Sequence, residues 1–181
     1  MRIVVLCGSA RKGGNTDLLV RAFVDGALEH NEVEIISVGE VNVKPCIGCN
    51  ACRKRETHNC FQQDDMPEIY EKLKTAEMIV IASPVYFYGL SAQLKAIIDR
   101  LHSPIRNEFK VKELALLLVA ADTIPEVFDS ILVQYRAILK YFHLKDAGNI
   151  LVRGVEGKGA IRGNPALKEA RELGAMIRER E

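Results

Sequence analysis

The sequence predicts one α/β domain, an open doubly wound sheet of five parallel strands in the order 2-1-3-4-5 with helices on both faces. Three observations carry this. Short, wholly apolar runs recur along the chain, segments with apolar residues at helical spacing fill the intervals, and the two patterns alternate. Apolar runs without polar alternation suit strands buried on both faces, as in a parallel sheet covered by helices. Alternation of strand and helix implies right-handed crossovers. The 181 residues suffice for one core, so a single domain over 1–181 is expected, carrying a cysteine-rich insert at about 45–62.

The elements follow in order. Residues 3–7 form the first apolar run, and 16–29 carry Leu18, Leu19, Ala22, Phe23 and Ala27 as a helical stripe. A more mixed run at 33–38 is the second strand. After the insert, Asp64-Asp65 can cap a helix over 66–75, with Pro67 in its first turn. Strand 3 is 78–82, and a helix over 91–101 sets Leu94, Ile97, Ile98 and Leu101 on one face, with Gln93, Lys95, Asp99 and Arg100 as its polar residues. Strand 4 is 114–121, followed by a helix over 125–142 that starts at a proline. Gly148 marks a turn before strand 5 at 149–155, and the stretch 154–163 reads as a simple glycine-rich loop. Asn164-Pro165 opens the last helix, running toward Arg178.

Composition narrows the function. Lys plus Arg number 25 against 24 for Asp plus Glu, which argues against nucleic acid as a partner. The longest apolar run, 114–121, is eight residues, whereas a membrane helix takes about 20. The first strand begins so early that no room for a signal peptide is expected. A cytoplasmic setting follows, where structural disulfides are rare. Five cysteines, four of them within fifteen residues, therefore need another explanation.

The loop Gly8-Ser9-Ala10-Arg11-Lys12-Gly13-Gly14-Asn15-Thr16 joins strand 1 to a helix. A helix N-terminus offers unpaired N–H groups and a positive dipole end, a natural cradle for phosphate. Glycines let the backbone approach closely; Ser9, Asn15 and Thr16 add donors, and Arg11 adds a cation. A nucleoside-triphosphate loop needs Lys-Ser/Thr where Gly14-Asn15 stands, and a dinucleotide fingerprint needs Gly where Ala10 stands. Taken alone, the loop could equally be a polar turn capped by Asn15 or Thr16.

Four segments together carry a resemblance: "GSARKGGNT", "CIGCNACRK…C…DDM", "ASPVYFYGLSAQLKAIIDR" and "GNPALKEARELG". With them the chain resembles the NADPH-dependent FMN reductase branch of the flavodoxin-like superfamily, and within it the iron–sulfur flavoproteins. The resemblance implies that Ser9, Arg11, Asn15 and Thr16 hold the FMN phosphate. It implies that Pro84, Val85, Tyr86, Phe87 and Gly89 line the isoalloxazine and ribityl chain, although Tyr86, Phe87 and Tyr88 could instead pack the following helix. The loop Ala121-Asp122-Thr123 should approach the flavin from its other side. The resemblance also implies a homodimer or higher homo-oligomer that uses the helix near 89–101.

Cys46, Cys49, Cys52 and Cys60 have the spacing C-x2-C-x2-C-x7-C, compact enough to face one centre. In iron–sulfur flavoproteins a compact set of this kind holds a [4Fe–4S] cluster beside FMN. Free or redox-active thiols, or zinc, stay open as alternatives. Pro45 and Gly48 shape a tight turn in each case. Cys7 reads as a small buried residue, and His58 as a solvated loop residue. His30, His102 and His143 suggest no site, and no Ser-His-Asp or paired-carboxylate arrangement emerges.

The expected function is an FMN-dependent oxidoreductase. NAD(P)H would deliver hydride to the flavin, and a quinone, nitro or azo compound or free flavin would accept the electrons. No side chain need act as general acid or base, because the flavin carries the chemistry. Preference for NADPH over NADH comes from the family name alone. The rival is an iron–sulfur flavoprotein relaying electrons from a ferredoxin-like partner. A flavin-binding or thiol-based sensor without turnover is a third possibility.

Overall fold

The computed structural model describes residues 1–178. Strands β1 (Arg2–Cys7), β2 (Glu32–Ser37), β3 (Met78–Pro84), β4 (Glu113–Val119) and β5 (Lys145–Val152) form one parallel sheet in the order β2-β1-β3-β4-β5. The helices are α1 (Asn15–Ala27), a four-residue α2 (Ala51–Lys54), α3 (Met66–Thr75), α4 (Ala92–Arg100), α5 (Asp129–Phe142) and α6 (Pro165–Met176). The predicted fold class and strand order are what the chain adopts.

Strand pleat divides each apolar run between two cores. Ile3, Val5 and Cys7 face α1 and α6, where they meet Leu19, Phe23 and Ala170. Val4 and Leu6 face the other way, toward Tyr70 of α3, Leu94 and Ile97 of α4 and Ile131 of α5. Both faces of β1, β3 and β4 are thus covered, which is why these runs lack polar alternation. Each Val, Leu, Ile or Phe side chain buried this way contributes about 1.5–3 kcal/mol.

Several boundaries move. Strand 5 begins at Lys145, not 149, and Gly148 lies inside it with φ +121°. There the β4–β5 register shifts, so Gly148 makes a bulge rather than a preceding turn. This edge strand is half exposed over its first residues, so no apolar run announced it. β3 extends through Ser83 and Pro84, while β4 stops at Val119 and leaves Ala120-Ala121 to the following loop. A 3-10 turn, Pro125–Phe128, precedes α5, and another, Pro104–Glu108, follows α4. The last helix starts as read, with the Asn164 side chain accepting from the Ala166 N–H at 2.9 Å and Pro165 in the first turn.

Helices α1 and α6 cross at backbone distance. A Cβ on Gly26 would fall 2.0 Å from the Arg171 carbonyl oxygen, and one on Gly174 would fall 2.1 Å from that of Phe23. On the opposite face α5 stands off the sheet. An apolar cavity of about 620 Å³ opens between α4 and α5 over Ile79, Ile81 and Leu114.

Candidate functional site

A smaller cavity, about 90 Å³, lies at the carboxyl ends of the strands, where β1 and β3 part to opposite sides of the sheet. Ser9, Arg11, Asn15, Thr16, Pro84, Val85, Tyr86 and Ala121 line it. Residues from three separate loops thus meet at one place.

The first loop builds one wall. The Ser9 hydroxyl accepts the Arg11 N–H at 3.2 Å, and the Gly14 N–H donates to the Arg11 carbonyl at 2.9 Å. Gly14, not Asn15 or Thr16, is the N-cap of α1, and no side chain caps the helix. The first-turn N–H groups of 15–17 are therefore left for a ligand. Asp17 reaches back to the Gly13 N–H at 2.7 Å. A Cβ on Gly14 would lie 2.9 Å from the Arg11 carbonyl oxygen, so the tight turn admits glycine alone. The Arg11 guanidinium is exposed and forms no ion pair among the described residues.

Asn15 lines the cavity, but its side chain is already engaged. Its Nδ2 donates to the Val155 carbonyl at 3.1 Å and the Gly157 carbonyl at 2.9 Å, and its Oδ1 accepts the Ile161 N–H at 3.2 Å. Both amide hydrogens are used, so the side chain pins the loop 154–163 to α1 and has no donor left for a phosphate. That loop is more than a connector: Val155, Glu156 and Lys158 line the cavity, as do Gly14 and Val119. Sequence reasoning missed them. A lysine in a glycine-rich loop at the carboxyl end of a strand was the available signal. The wall thus carries two cations, Arg11 and Lys158, against the Glu156 carboxylate.

The third loop is a two-residue hairpin. Tyr86 and Gly89 exchange backbone hydrogen bonds of 3.0 and 3.1 Å, and Phe87 and Tyr88 between them have φ of +48° and +62°. Positive φ at both central residues is type I′ geometry, ordinarily filled by Asn-Gly. Two aromatic residues there store strain on the order of 1–3 kcal/mol each. The Val85 N–H to Val119 carbonyl bond at 2.8 Å and the Ser130 hydroxyl donating to the Tyr88 carbonyl hold the hairpin at its base and flank. Phe87, Gly89 and Asp122 do not line the cavity. Phe87 is 98% exposed at the hairpin tip, so it does not pack the following helix. The Asp122 carboxylate accepts the Thr123 and Ile124 N–H groups at 2.7 and 3.1 Å, tying up its own loop.

The cysteine insert makes a second hollow. Cys46, Cys49, Cys52 and Cys60 line it together, with Tyr70 and Arg100 at its inner wall. It measures about 40 Å³, and its outer wall is the exposed turn bearing Cys46, Cys49 and Gly48, the last at φ +67°. Among the described residues no three His, Cys, Asp or Glu side chains converge closely enough to hold one metal ion.

The amphipathic pattern of α4 counts Arg100 among its polar residues, yet the residue is 3% exposed. It turns inward to pair with Asp64, whose side chain is wholly buried, and donates to the Lys44 carbonyl at 3.2 Å. Asp64 also accepts the Lys44 N–H at 2.9 Å and the Met66 N–H at 3.2 Å. Burial opposes its ionisation, but Arg100 and these N–H groups prevail and hold the carboxyl below its ordinary range. Asp65 is the N-cap of α3 by position, yet its side chain takes the Asn42 N–H at 2.6 Å instead. The acidic pair thus clamps the start of the insert more than it caps a helix.

Tyr70, whose hydroxyl donates to the Arg100 carbonyl at 2.9 Å, is pushed up to about 12, chiefly by burial. His58 is half-buried, with Nδ1 3.2 Å from the Cys52 carbonyl oxygen, and its own carbonyl accepts the Ser103 hydroxyl at 2.7 Å. It is part of the loop's framework and not a solvated bystander. Cys7 is 3% exposed, and burial raises its thiol pKa.

A five-stranded 2-1-3-4-5 sheet with a glycine-rich anion cradle after β1 and an aromatic hairpin after β3 defines a flavodoxin-like mononucleotide-binding domain. The chain belongs to the NADPH-dependent FMN reductase family, whose sequence model matches residues 1–155. Over 113 residues it is 43% identical to an iron–sulfur flavoprotein of Methanocaldococcus jannaschii, covering 62% of this chain and 57% of that protein. The chain thus spans little more than half the length of that relative. A Bacillus subtilis protein provisionally named NAD(P)H-dependent FMN-containing oxidoreductase is 28% identical over 96% of both chains. The solved structure of the Trp repressor binding protein from Bacillus subtilis shares the fold, with a TM-score of 0.70 at 24% identity, covering 98% of this chain and 99% of that one.

Proposed function

We propose that the protein is an FMN-dependent oxidoreductase that takes hydride equivalents from NAD(P)H and passes electrons to a small acceptor, such as a quinone or a nitro or azo compound. The convergence of the anion cradle and the aromatic hairpin on one cleft carries this reading. Three features of the cleft fit FMN. The first turn of α1 has no side-chain cap, Gly14 leaves no room for a Cβ, and Arg11 and Lys158 bring positive charge to the same wall. Ser9, Arg11, Thr16 and the first-turn N–H groups would hold the phosphate, with Asn15 fixing the loop that presents Lys158. Pro84, Val85 and Tyr86 would form an apolar wall for the ring, and Ala121 the opposite side. Bound FMN would supply the hydride-accepting and one-electron chemistry that side chains lack. The chain's own part is to bind, orient and shield.

The test is flavin content of the native protein, uptake of added FMN, and NAD(P)H oxidation with a quinone or azo acceptor. A protein that neither carries nor takes up FMN refutes the proposal.

A second reading is favoured by one observation: all four insert cysteines line a single hollow. In this reading they hold a [4Fe–4S] cluster, and the protein relays electrons between a ferredoxin-like donor and an acceptor; the relative is named an iron–sulfur flavoprotein. The residues fit such a group. Four thiols match its ligand count, and a buried guanidinium at the inner wall suits its negative charge. A cube of four irons gives each thiolate its own iron, so the sulfurs stand further apart than ligands converging on one zinc. The hollow's small volume requires the exposed turn to move outward on loading. Iron and acid-labile sulfide analysis of anaerobically purified protein separates the two readings. Iron-free protein that oxidises NADPH briskly supports the reductase; a cluster reduced by ferredoxin but not by NADPH supports the carrier.

A further inference from the structure

The guanidinium of Arg100 is only partly satisfied. Nη1 serves Asp64 and the Lys44 carbonyl. Nε and Nη2 are buried and have no hydrogen-bond partner. The side chain is 2% exposed, and Arg100 lines the same hollow as the four cysteines. A buried charged donor without an acceptor is more expensive than a neutral one. Asp64 does not meet these two donors, because it pairs with Nη1. The fold therefore places a buried positive charge, with two unpartnered N–H donors, on a residue that lines the cysteine hollow.

We propose that Arg100 is a positioning residue for the occupant of the cysteine hollow, donating from Nε and Nη2 to the sulfurs of a bound [4Fe–4S] cluster. This rests on the cluster reading above. The chemistry is complementary. A cube ligated by four thiolates is anionic, its sulfides and thiolate sulfurs accept hydrogen bonds, and such bonds govern its potential. Reduction adds a further negative charge. A buried cation donating to the sulfurs stabilises the reduced form more than the oxidised one. Arg100 thus raises the reduction potential and secures the cluster, while Asp64, by holding Nη1, fixes which edge of the guanidinium faces the sulfurs. Lysine cannot replace it: an ammonium that keeps the Asp64 pair has no second edge to present.

The experiment uses the full chain, purified anaerobically and reconstituted with ferrous iron and sulfide, in wild-type, Arg100→Lys and Arg100→Gln forms. Iron and sulfide per chain, the cluster's midpoint potential, and FMN content with thermal midpoint as a measure of folding are read for each. Arg100→Lys, which keeps the charge, is expected to fold and retain FMN yet lose cluster occupancy or show a more negative midpoint potential. Arg100→Gln, in any fraction that folds, should show a larger negative shift. Wild-type occupancy and potential in folded Arg100→Lys would overturn the role of Arg100 while leaving the cluster reading intact. Wild-type protein that takes up no iron and sulfide would overturn both.

Discussion

At the residue scale, Asn15 shows how a motif can be legible while its side-chain partners are not. Its place beside a phosphate loop suggested a donor to the ligand; its amide is fully used on the loop 154–163. Asn15→Ala should cost about 2 kcal/mol, given three lost hydrogen bonds at about 1 kcal/mol each and some recovery by water. Urea unfolding measures this, and proteolysis should become faster within 154–163. Arg11 makes no ion pair with other described residues, so Arg11→Ala should leave the unfolding midpoint unchanged while weakening FMN binding about tenfold, a loss of about 1.4 kcal/mol. Flavin fluorescence titration checks this, and unchanged affinity would remove Arg11 from the site. The buried Asp64–Arg100 pair gives a pH signature. The Asp64 carboxyl titrates below its ordinary 3.8, so its contribution is complete above that value and is lost as pH falls through the lower folded value. Asp64→Asn should cost about 3 kcal/mol at neutral pH, because it leaves a buried cation unpaired. The gap in thermal midpoint between the two proteins should close as the pH is lowered past 3.8.

At the element scale, glycines decide two contacts that no apolar pattern reveals. Gly26 and Gly174 let α1 and α6 touch through their backbones. A glycine inside a helical pattern reads only as a weak spot of about 1 kcal/mol, and its packing reason appears when the second helix is in place. Gly174→Ala should destabilise by about 3 kcal/mol, the upper end of overpacking, because the obstructing atoms are backbone. Gly157→Ala, with nothing within 4 Å of the added Cβ, should be near neutral in the same denaturation assay. The hairpin 86–89 was legible as an aromatic loop beside the cleft. Its positive-φ tip was not, because aromatic residues are poor candidates for a type I′ turn.

At the scale of the whole molecule, one face lacks cover. α5 buries fully only Ile131 and Tyr135; Val133 is exposed, and exposed Tyr141 lines the cavity between α4 and α5. We propose that a second copy of the chain packs there, in keeping with the homodimer that the sequence resemblance implies. Light scattering should give a dimer mass for the wild type and a monomer mass for Val133→Asp/Tyr141→Asp. A monomeric wild type would dismiss the proposal.

The sequence by itself determined the sheet, its order and the place of the cleft. Apolar runs, helical stripes and strand–helix alternation are local, and parallel topology follows from them with few alternatives. It also placed Ser9, Arg11, Thr16, Pro84, Val85 and Tyr86 at one cleft, because loops at the carboxyl ends of neighbouring strands must meet. The tertiary structure alone decided which side chains have donors to spare. Asn15 has none left, Lys158 joins the cleft from a loop more than 140 positions further along the chain, and Arg100 turns from an apparent surface position to face four cysteines. Hydrogen-bond satisfaction depends on every group within about 3 Å, and those neighbours come from distant parts of the chain.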